Sequence, residues 1–545
     1  MSEPKRCRTR IARTPLDMEM QAHHRIKRGD MEVQEQREDR LSRLPDDILH
    51  SILRGIPLKH AARTSALSRR WARTWLRALA SSRVLDFTDR DFARGQAPAR
   101  AAATVSRCLQ LHAEYGAPLD VFRLAVTAPA PAPGSTGAFE RDVVGWVVSA
   151  VARGAREVEV DLRPPPPPLA AKADAGDESA AFVELPGDLF VATNSLARLA
   201  LGGFRLRAVP AGLAEGLRSL SLSHADVTDE AVRDIVSSCR ALEVLSLQGC
   251  NLLRSVRIDG ETLRSLEIVR CLGVRELRVN APSLESFAFH GDNVYSTSDD
   301  DDDDLSSAVD LGSTPALRDA YLSHIGFDDA KNAYDEREYA YSNFLSCVAH
   351  ARVLTLCSVG LLHLWAQLSY DPLVEIDMTS VQELQLLMSS LGEDDEGLHS
   401  FSSFFELYPL PLLGRLFVSL PSHTAEATTA LPGEVVDDSK MMFYCYDDDF
   451  VLDQLSYIKL VNFRGTRFEL QLLAFLLKRT PALEQLVLVT VGEEGGAPGD
   501  ERVIQGWVSA IQKASPEAQL TVCQSSEDRS QNPVHTRFYH ELLEE

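Results

Sequence analysis

With 545 residues, 45% apolar and 25% charged, the chain is long enough for several domains or one long repeat array, and its composition is that of a protein with a large core. The net charge of −23 is unevenly spread: residues 1–100 hold 22 Lys and Arg against 13 Asp and Glu, the remainder 34 against 66, which excludes a nucleic-acid-binding main body because phosphate contacts need a basic surface. No apolar run approaches the roughly 18 residues of a membrane span, and nine cysteines with no CxxC pair and no secretory signal predict reduced thiols in the nucleus or cytoplasm.

Residues 1–38 are polar and aperiodic, with basic clusters at Lys5–Arg6, Arg8, Arg10 and Arg13 and at Arg25, Lys27 and Arg28. They read as a disordered basic tail, or as a nuclear import signal. From Asp39 to Arg77 the pattern predicts three short helices. Pro45 suits a first helical position, and Asp46 and Asp47 place negative charge at the positive end of the dipole. Ile48, Leu49, Ile52, Leu53 and Ile56 then form an apolar stripe that Gly55 weakens and Pro57 ends. A second helix follows over Leu58–Ala66. Ser68 caps a third, where Trp71 and Trp75 share a face and Arg69, Arg70, Arg73 and Arg77 mostly line the other. So small a unit carries more Leu, Ile and Trp than it can bury alone, so a partner must cover the rest.

Leu44-Pro45-Asp46-Asp47-Ile48-Leu49, then Ile56-Pro57, then Arg63-Thr64-Ser65-Ala66-Leu67-Ser68-Arg69-Arg70-Trp71 closely resembles the F-box, through which substrate adaptors dock on Skp1 in SCF-type (Skp1-cullin-F-box) ubiquitin ligases. The resemblance implies a Skp1-like partner, a cullin reached through it, and Skp1-binding residues Leu44, Pro45, Ile48, Leu49, Ile52, Leu53, Pro57, Leu67 and Trp71.

Beyond the third helix come a strand at Arg83–Phe87, a helix around Ala101–His112, a strand Val121–Leu124, a Pro/Ala/Gly linker Ala128–Gly137, a helix holding Val143 to Val151, and an alternating strand Val158–Leu162. Pro164 to Ser179 is a loop insertion. From Leu196 the sequence repeats. Leu242-x-x-Leu245-x-Leu247-x-x-Cys250-x-Leu252 fits the leucine-rich-repeat signature, Leu217-Leu220-Leu222 and Leu263-Leu266-Ile268-Cys271 fit it with small changes, and the starts Leu242, Leu263 and Leu284 are 21 apart. A second series, Leu253-x-x-Val256-x-Ile258 and Val274-x-x-Leu277-x-Val279, lies halfway between. The first series is expected to be the inner strand of a solenoid and the second the returning outer segment. Fainter copies run through Leu317–Leu322, Ala351–Leu356, Val381–Leu386, Leu413–Val418, Leu455–Leu460 and Leu483–Leu488, with the register between residues 334 and 446 left open. Period-two alternation then points Ser219, Ser221, Ser223, Val244, Ser246, Gln248, Ser265 and Glu267 to the concave side, and Ser221, Ser246, Gln248 and Glu267 are the candidate substrate-binding residues.

The six-aspartate run Asp299–Asp304 lacks the Gly and Glu of a calcium loop and reads as a solvated rim that attracts basic proteins. At the C-terminus, Leu455 to Thr466, then Glu469 to Leu477, then Leu483-Glu484-x-Leu486 read as strand, turn, amphipathic helix and strand, and look like the FBD domain of plant F-box proteins; Leu185-Pro186-x-x-Leu189-Phe190 also resembles that family. The fold class is therefore α/β, a three-helix F-box followed by an irregular leucine-rich-repeat solenoid with an FBD-like cap. Its parts are a basic tail (1–38), the F-box (39–82), the solenoid (83–450), FBD-like repeats (451–524) and a tail (525–545).

Catalytic motifs for zinc proteases, serine hydrolases, P-loop or dinucleotide enzymes are absent, so no catalytic residue, metal or cofactor is expected. Cys250 and Cys271 sit at the interior position of the repeat, where a small thiol bonds backbone. The expected function is a substrate-recognition subunit of an SCF ligase holding a protein substrate on the repeats, with no nucleic acid and no membrane. The alternatives are a Skp1-binding scaffold that leads to no proteolysis and a small-molecule-sensing F-box receptor. The receptor needs basic inner residues, and the strand midpoints Ser221, Ser246, Glu267 and Ala288 supply none.

Overall fold

A chain whose leucines recur two apart, and again some twenty residues later, buries that face only by stacking each strand on the next. The computed structural model has this arrangement; it describes residues 44–89, 92, 98–127, 137–163, 182–187, 195–207, 216–292, 294, 308–312, 314–324, 334–368, 376–388, 396–421, 450–491 and 501–537. The basic tail, the proline insertion and the aspartate run lie outside these residues. The chain divides into two units, the first ending at Ser82 and the second beginning at Arg83.

The first unit is helical: α1 (Asp46–Arg54), α2 (Leu58–Arg63) continued by a 3-10 turn at Thr64–Ala66, and α3 (Arg69–Ala80). Pro45 stands one place earlier than expected, as the N-cap, and its carbonyl accepts from the N–H groups of Ile48 and Leu49 at 3.1 Å. Ser68 caps α3, its hydroxyl accepting from the Trp71 N–H at 3.3 Å.

The second unit is built on one parallel sheet of fifteen strands that follow one another in chain order. They are β1 (Val84–Phe87), β2 (Val121–Thr127), β3 (Glu157–Arg163), β4 (Arg198–Gly202), β5 (Ser219–Ser223), β6 (Val244–Gln248), β7 (Ser265–Val269), β8 (Ser286–Gly291), β9 (Asp319–His324), β10 (Val353–Cys357), β11 (Glu383–Leu387), β12 (Arg415–Ser419), β13 (Tyr457–Phe463), β14 (Gln485–Thr490) and β15 (Gln519–Gln524). Two interior ladders hold the stack. One runs through Leu220, Leu245, Leu266 and Phe287, the other through Leu222, Leu247, Ile268 and Phe289, all buried and in register from strand to strand. The same ladders continue through Leu354–Leu356, Leu384–Leu386, Leu416–Val418 and Ile458–Leu460, which supplies the register between 334 and 446. The halfway series forms short outer sheets, Ser255–Asp259 beside Glu276–Asn280 among them.

Leu252, the last leucine of the signature, is 48% exposed, and Leu253 beside it is fully buried. Leu272 and Val274 divide in the same way. The residues after β4, β5 and β6, Gly203, His224 and Gly249, are left-handed and donate their N–H to the last carbonyl of the following strand; Arg270 after β7 is left-handed too and donates to the His290 carbonyl, one residue before the end of β8. At Gly249 a Cβ would stand 2.7 Å from the His224 ring, so close packing adds to the backbone's demand for glycine. Beneath the turn, the thiols of Cys250 and Cys271 donate to the carbonyls of Leu222 and Leu247, as the interior position requires. In the C-terminal part, Thr466 and Glu469 form a capping box that starts the helix Arg467–Lys478 between β13 and β14.

Candidate docking surfaces

In the first unit the apolar stripe is too wide to be consumed internally. Leu49, Leu53, Ala61, Trp71 and Ala78 make its core, with Leu44, Ile56 and Trp75 packed against it. Arg70 closes the end, its guanidinium 2.8 Å from Asp46 and bonded to the Leu44 carbonyl, and it holds the Asp46 carboxyl below its usual range. Ile48 at 47% and Leu67 at 67% exposure, with Ile52, stay in solvent, as do Pro45 and Pro57. The nine residues singled out in the sequence therefore divide. Leu49, Leu53 and Trp71 are interior, so any effect they have on a partner runs through the unit's own fold, and the remainder reach the surface wholly or in part. Leu76, 45% exposed and outside the quoted pattern, joins the outward group.

In the second unit the sheet faces outward through the alternate residues. Its central row, fixed by the strand register, reads Asp86, Arg123, Glu159, Ala200, Ser221, Ser246, Glu267, Ala288, Tyr321, Thr355, Gln385, Phe417, Lys459, Val487 and Thr521. Ser221, Ser246 and Glu267 lie side by side in this row and are half-buried, with Gln248 half-buried two residues further along β6. The Ser246 hydroxyl donates to Glu267 at 2.9 Å. The full row does contain cations, unlike the four midpoints read from the sequence, and both are neutralised. Arg123 is set among Glu157 (2.6 Å), Glu159 (3.4 Å) and Asp86 (3.6 Å). Lys459 is 2% exposed in its side chain and pairs with Asp528 at 2.6 Å.

Asp528 belongs to the segment after β15, which the sequence reads as a plain tail. It lies across the outward face instead. Lys459 Nζ also donates to the Gln531 carbonyl (3.0 Å) and to Asn532 Oδ1 (3.1 Å), so all three ammonium protons have acceptors. Next the Val534 N–H donates to Glu383 on β11 at 2.7 Å, and Glu383 is itself 2.9 Å from Arg415. His535 bonds Thr355 on β10 (2.7 Å) and Asp319 on β9 (3.0 Å), with its ring edge-on to Tyr321. Arg537 ends at Glu267 on β7, 3.5 Å away. Contacts from β13 to β7 span six strand spacings, about 29 Å, and nine residues of extended chain reach about 30 Å. Residues 528–537 thus form an extended strap that crosses the strands.

Among the described residues no helix is long and apolar enough to cross a membrane, and no group of three metal-ligating side chains occurs. His324, at the end of β9, is fully enclosed. Burial, aided by His363 and His290, pushes it down to about 3, so it stays neutral and is no base at physiological pH.

Each of the two units matches a known family. Residues 41–78 match the F-box domain, and residues 143–321 match the family described as FBD-associated F-box protein At5g56370, LRR repeats. Similar Arabidopsis thaliana proteins include F-box protein At5g03100 (27% identical over 42% of this chain and 63% of the relative) and F-box/LRR-repeat protein At3g03360 (28%, over 45% and 46%). Putative FBD-associated F-box protein At1g61330 is 22% identical over 82% of this chain and 90% of its own length. The chain spans less than two thirds of the first two relatives. The resemblance drawn from the sequence stands: the chain carries an F-box followed by FBD-associated leucine-rich repeats, as plant F-box/FBD/LRR-repeat proteins do.

Proposed function

We propose that this chain is the substrate-recognition subunit of an SCF-type ubiquitin ligase, a non-enzymatic adaptor that docks a Skp1-like protein, and through it a cullin, on its F-box. A protein substrate would be held on the outward face of the repeats. The observation that carries the reading is the exposure of Ile48, Ile52 and Leu67, joined by Leu76, outside the packed core of Leu49, Leu53, Ala61, Trp71 and Ala78. Isolated exposed apolar residues need no explanation, but three from a match to the F-box, each at least 39% exposed on so small a unit, mark a face that another protein covers. Full-length protein with Ile52→Asp and Leu67→Asp is expected to lose recovery of a Skp1-like partner while keeping its thermal transition. Unchanged recovery would end the reading.

The scaffold alternative shares the F-box contact and differs downstream. Co-purification of a cullin, together with a bound protein that accumulates when the proteasome is blocked, separates the two. A small-molecule anion sensor has less support, since Arg123 and Lys459 on the central row are both held by carboxylates.

A further inference from the structure

We propose that the outward face between Lys459 and Glu267 is a groove for an extended segment of a partner protein, and that residues 528–537 occupy it in cis until such a segment displaces them. The reasoning starts from the asymmetry of the contact. On the groove side four of the contacting residues are almost completely enclosed, Lys459, Glu383, Thr355 and Tyr321 each being at most 1% exposed, and Asp319 and Glu267 are half-buried. On the strap side nothing is buried. Its single aliphatic residue, Val534, is 53% exposed, and every described residue from Asp528 to Arg537 is half-buried at most. A segment that belonged permanently to the core would anchor itself with an apolar side chain. This one is attached through hydrogen bonds and ion pairs, which water replaces at little net loss when the strap lifts.

The groove's chemistry also says what it takes. At the β13 end Lys459 presents three donors, met by one carboxylate and two oxygens of the strap. At the other end Glu383, Asp319 and Glu267 present carboxylates, met by a backbone N–H, a histidine and an arginine. A fitting segment therefore carries an acidic residue at its N-terminal end and His or Arg about seven to nine residues later, and is extended over the length worked out above. The two poles fix its direction. Two of the contacts, from Lys459 to the Gln531 carbonyl and from the Val534 N–H to Glu383, are to backbone and would serve any sequence. The Asn532-Pro533 step suits an extended path, because proline fixes φ and disfavours helix before it.

The groove reading rests on the substrate-receptor proposal only for the origin of the displacing segment. Its test does not involve Skp1, so the two fail separately. A fluorescent peptide of residues 525–537 is titrated into the full-length protein and into the full-length variant Asp528→Ala, His535→Ala, Arg537→Ala, whose changes all lie in the strap and none in the sheet. The variant is expected to bind the peptide at least tenfold more tightly than the wild type, and to ignore the same residues in reversed order. Equal affinity in both proteins, no binding to the variant, or equal binding of the reversed peptide would overturn the proposal. Hydrogen exchange on the wild-type protein reads the same property without any mutation. The Val534 amide is expected to exchange at least a hundredfold faster than those of Ile458 and Leu460 on β13, since the strap opens without the sheet, and equal protection would show it to be a fixed part of the fold.

Discussion

Between β4 and β7 the outward row is Ala200, Ser221, Ser246 and Glu267, small or polar and half-exposed; between β9 and β13 it is Tyr321, Thr355, Gln385, Phe417 and Lys459, all buried. The backbone is the same in both stretches: parallel strands, matched registers, and leucine ladders of equal depth behind them. What differs is the row itself, and with it what lies on top. Large or charged side chains in the second stretch need a cover that satisfies them, since an enclosed ammonium without a counter-charge is strongly unfavourable. The strap supplies Asp528 for Lys459. The interior side of a repeat thus sets stability, and the outward side, free of that duty, decides whether the face is open or occupied.

The largest expected effect tests the shared half of this comparison. Leu247→Ala on β6 and Leu386→Ala on β11 should each destabilise by about 2–5 kcal/mol, as truncating a fully buried leucine does. Ser246→Ala, one residue away on the outward side, should stay within about 0.5 kcal/mol. Urea denaturation followed by circular dichroism reads all three. A Ser246→Ala effect as large as that of Leu247→Ala would mean that the two faces are not distinct.

Acid should divide the two stretches. His324 on β9 is held neutral by burial, its value down at about 3, whereas an unfolded histidine titrates near 6.5. The unfolded chain therefore takes up the proton first. The stabilisation is full above about pH 6.5, declines as pH falls below it, and is gone by about pH 3; at pH 5 the loss is about 2 kcal/mol. Hydrogen exchange at pH 5 should show β9 and β10 opening before β6, where no histidine is buried among the described residues. His324→Asn should remove most of the difference between pH 7 and pH 5.

The ladders were legible in the sequence because a strand alternates with period two and a one-residue slip would turn every leucine outward. Leu245, Leu247, Leu266 and Ile268 are buried as the pattern requires. Leu252 and Leu253 were not separable, since both are leucine and the choice between them is made by the left-handed turn at Gly249, which shifts the phase after the strand. The F-box pattern located the starts of its helices within a residue, but periodicity alone did not tell the packed Leu49 and Trp71 from the outward Ile48 and Leu67. The strap was invisible for a different reason. Asp528 to Arg537 is polar and aperiodic, and its partners are single side chains on strands that lie far away in the sequence. One signal was present. Lys459 stands between Ile458 and Leu460 in the middle of an apolar strand, a position that calls for a counter-ion from elsewhere in the chain.

The smallest expected effect is the most discriminating. Asp528→Asn removes the carboxylate opposite Lys459, whose side chain is enclosed. If the strap were a sealed part of the core, stranding that ammonium would cost about 3–5 kcal/mol, as breaking one side of a buried ion pair does. The strap instead anchors no apolar side chain and can lift, letting water reach Nζ, so the predicted loss is under about 1 kcal/mol and is confined to the strap. Urea denaturation gives the first number, and protection of the Val534 and His535 amides gives the second. A large global loss with the strap still protected would place residues 528–537 within the fold rather than upon it, and the covered stretch of the sheet would then be core on both faces.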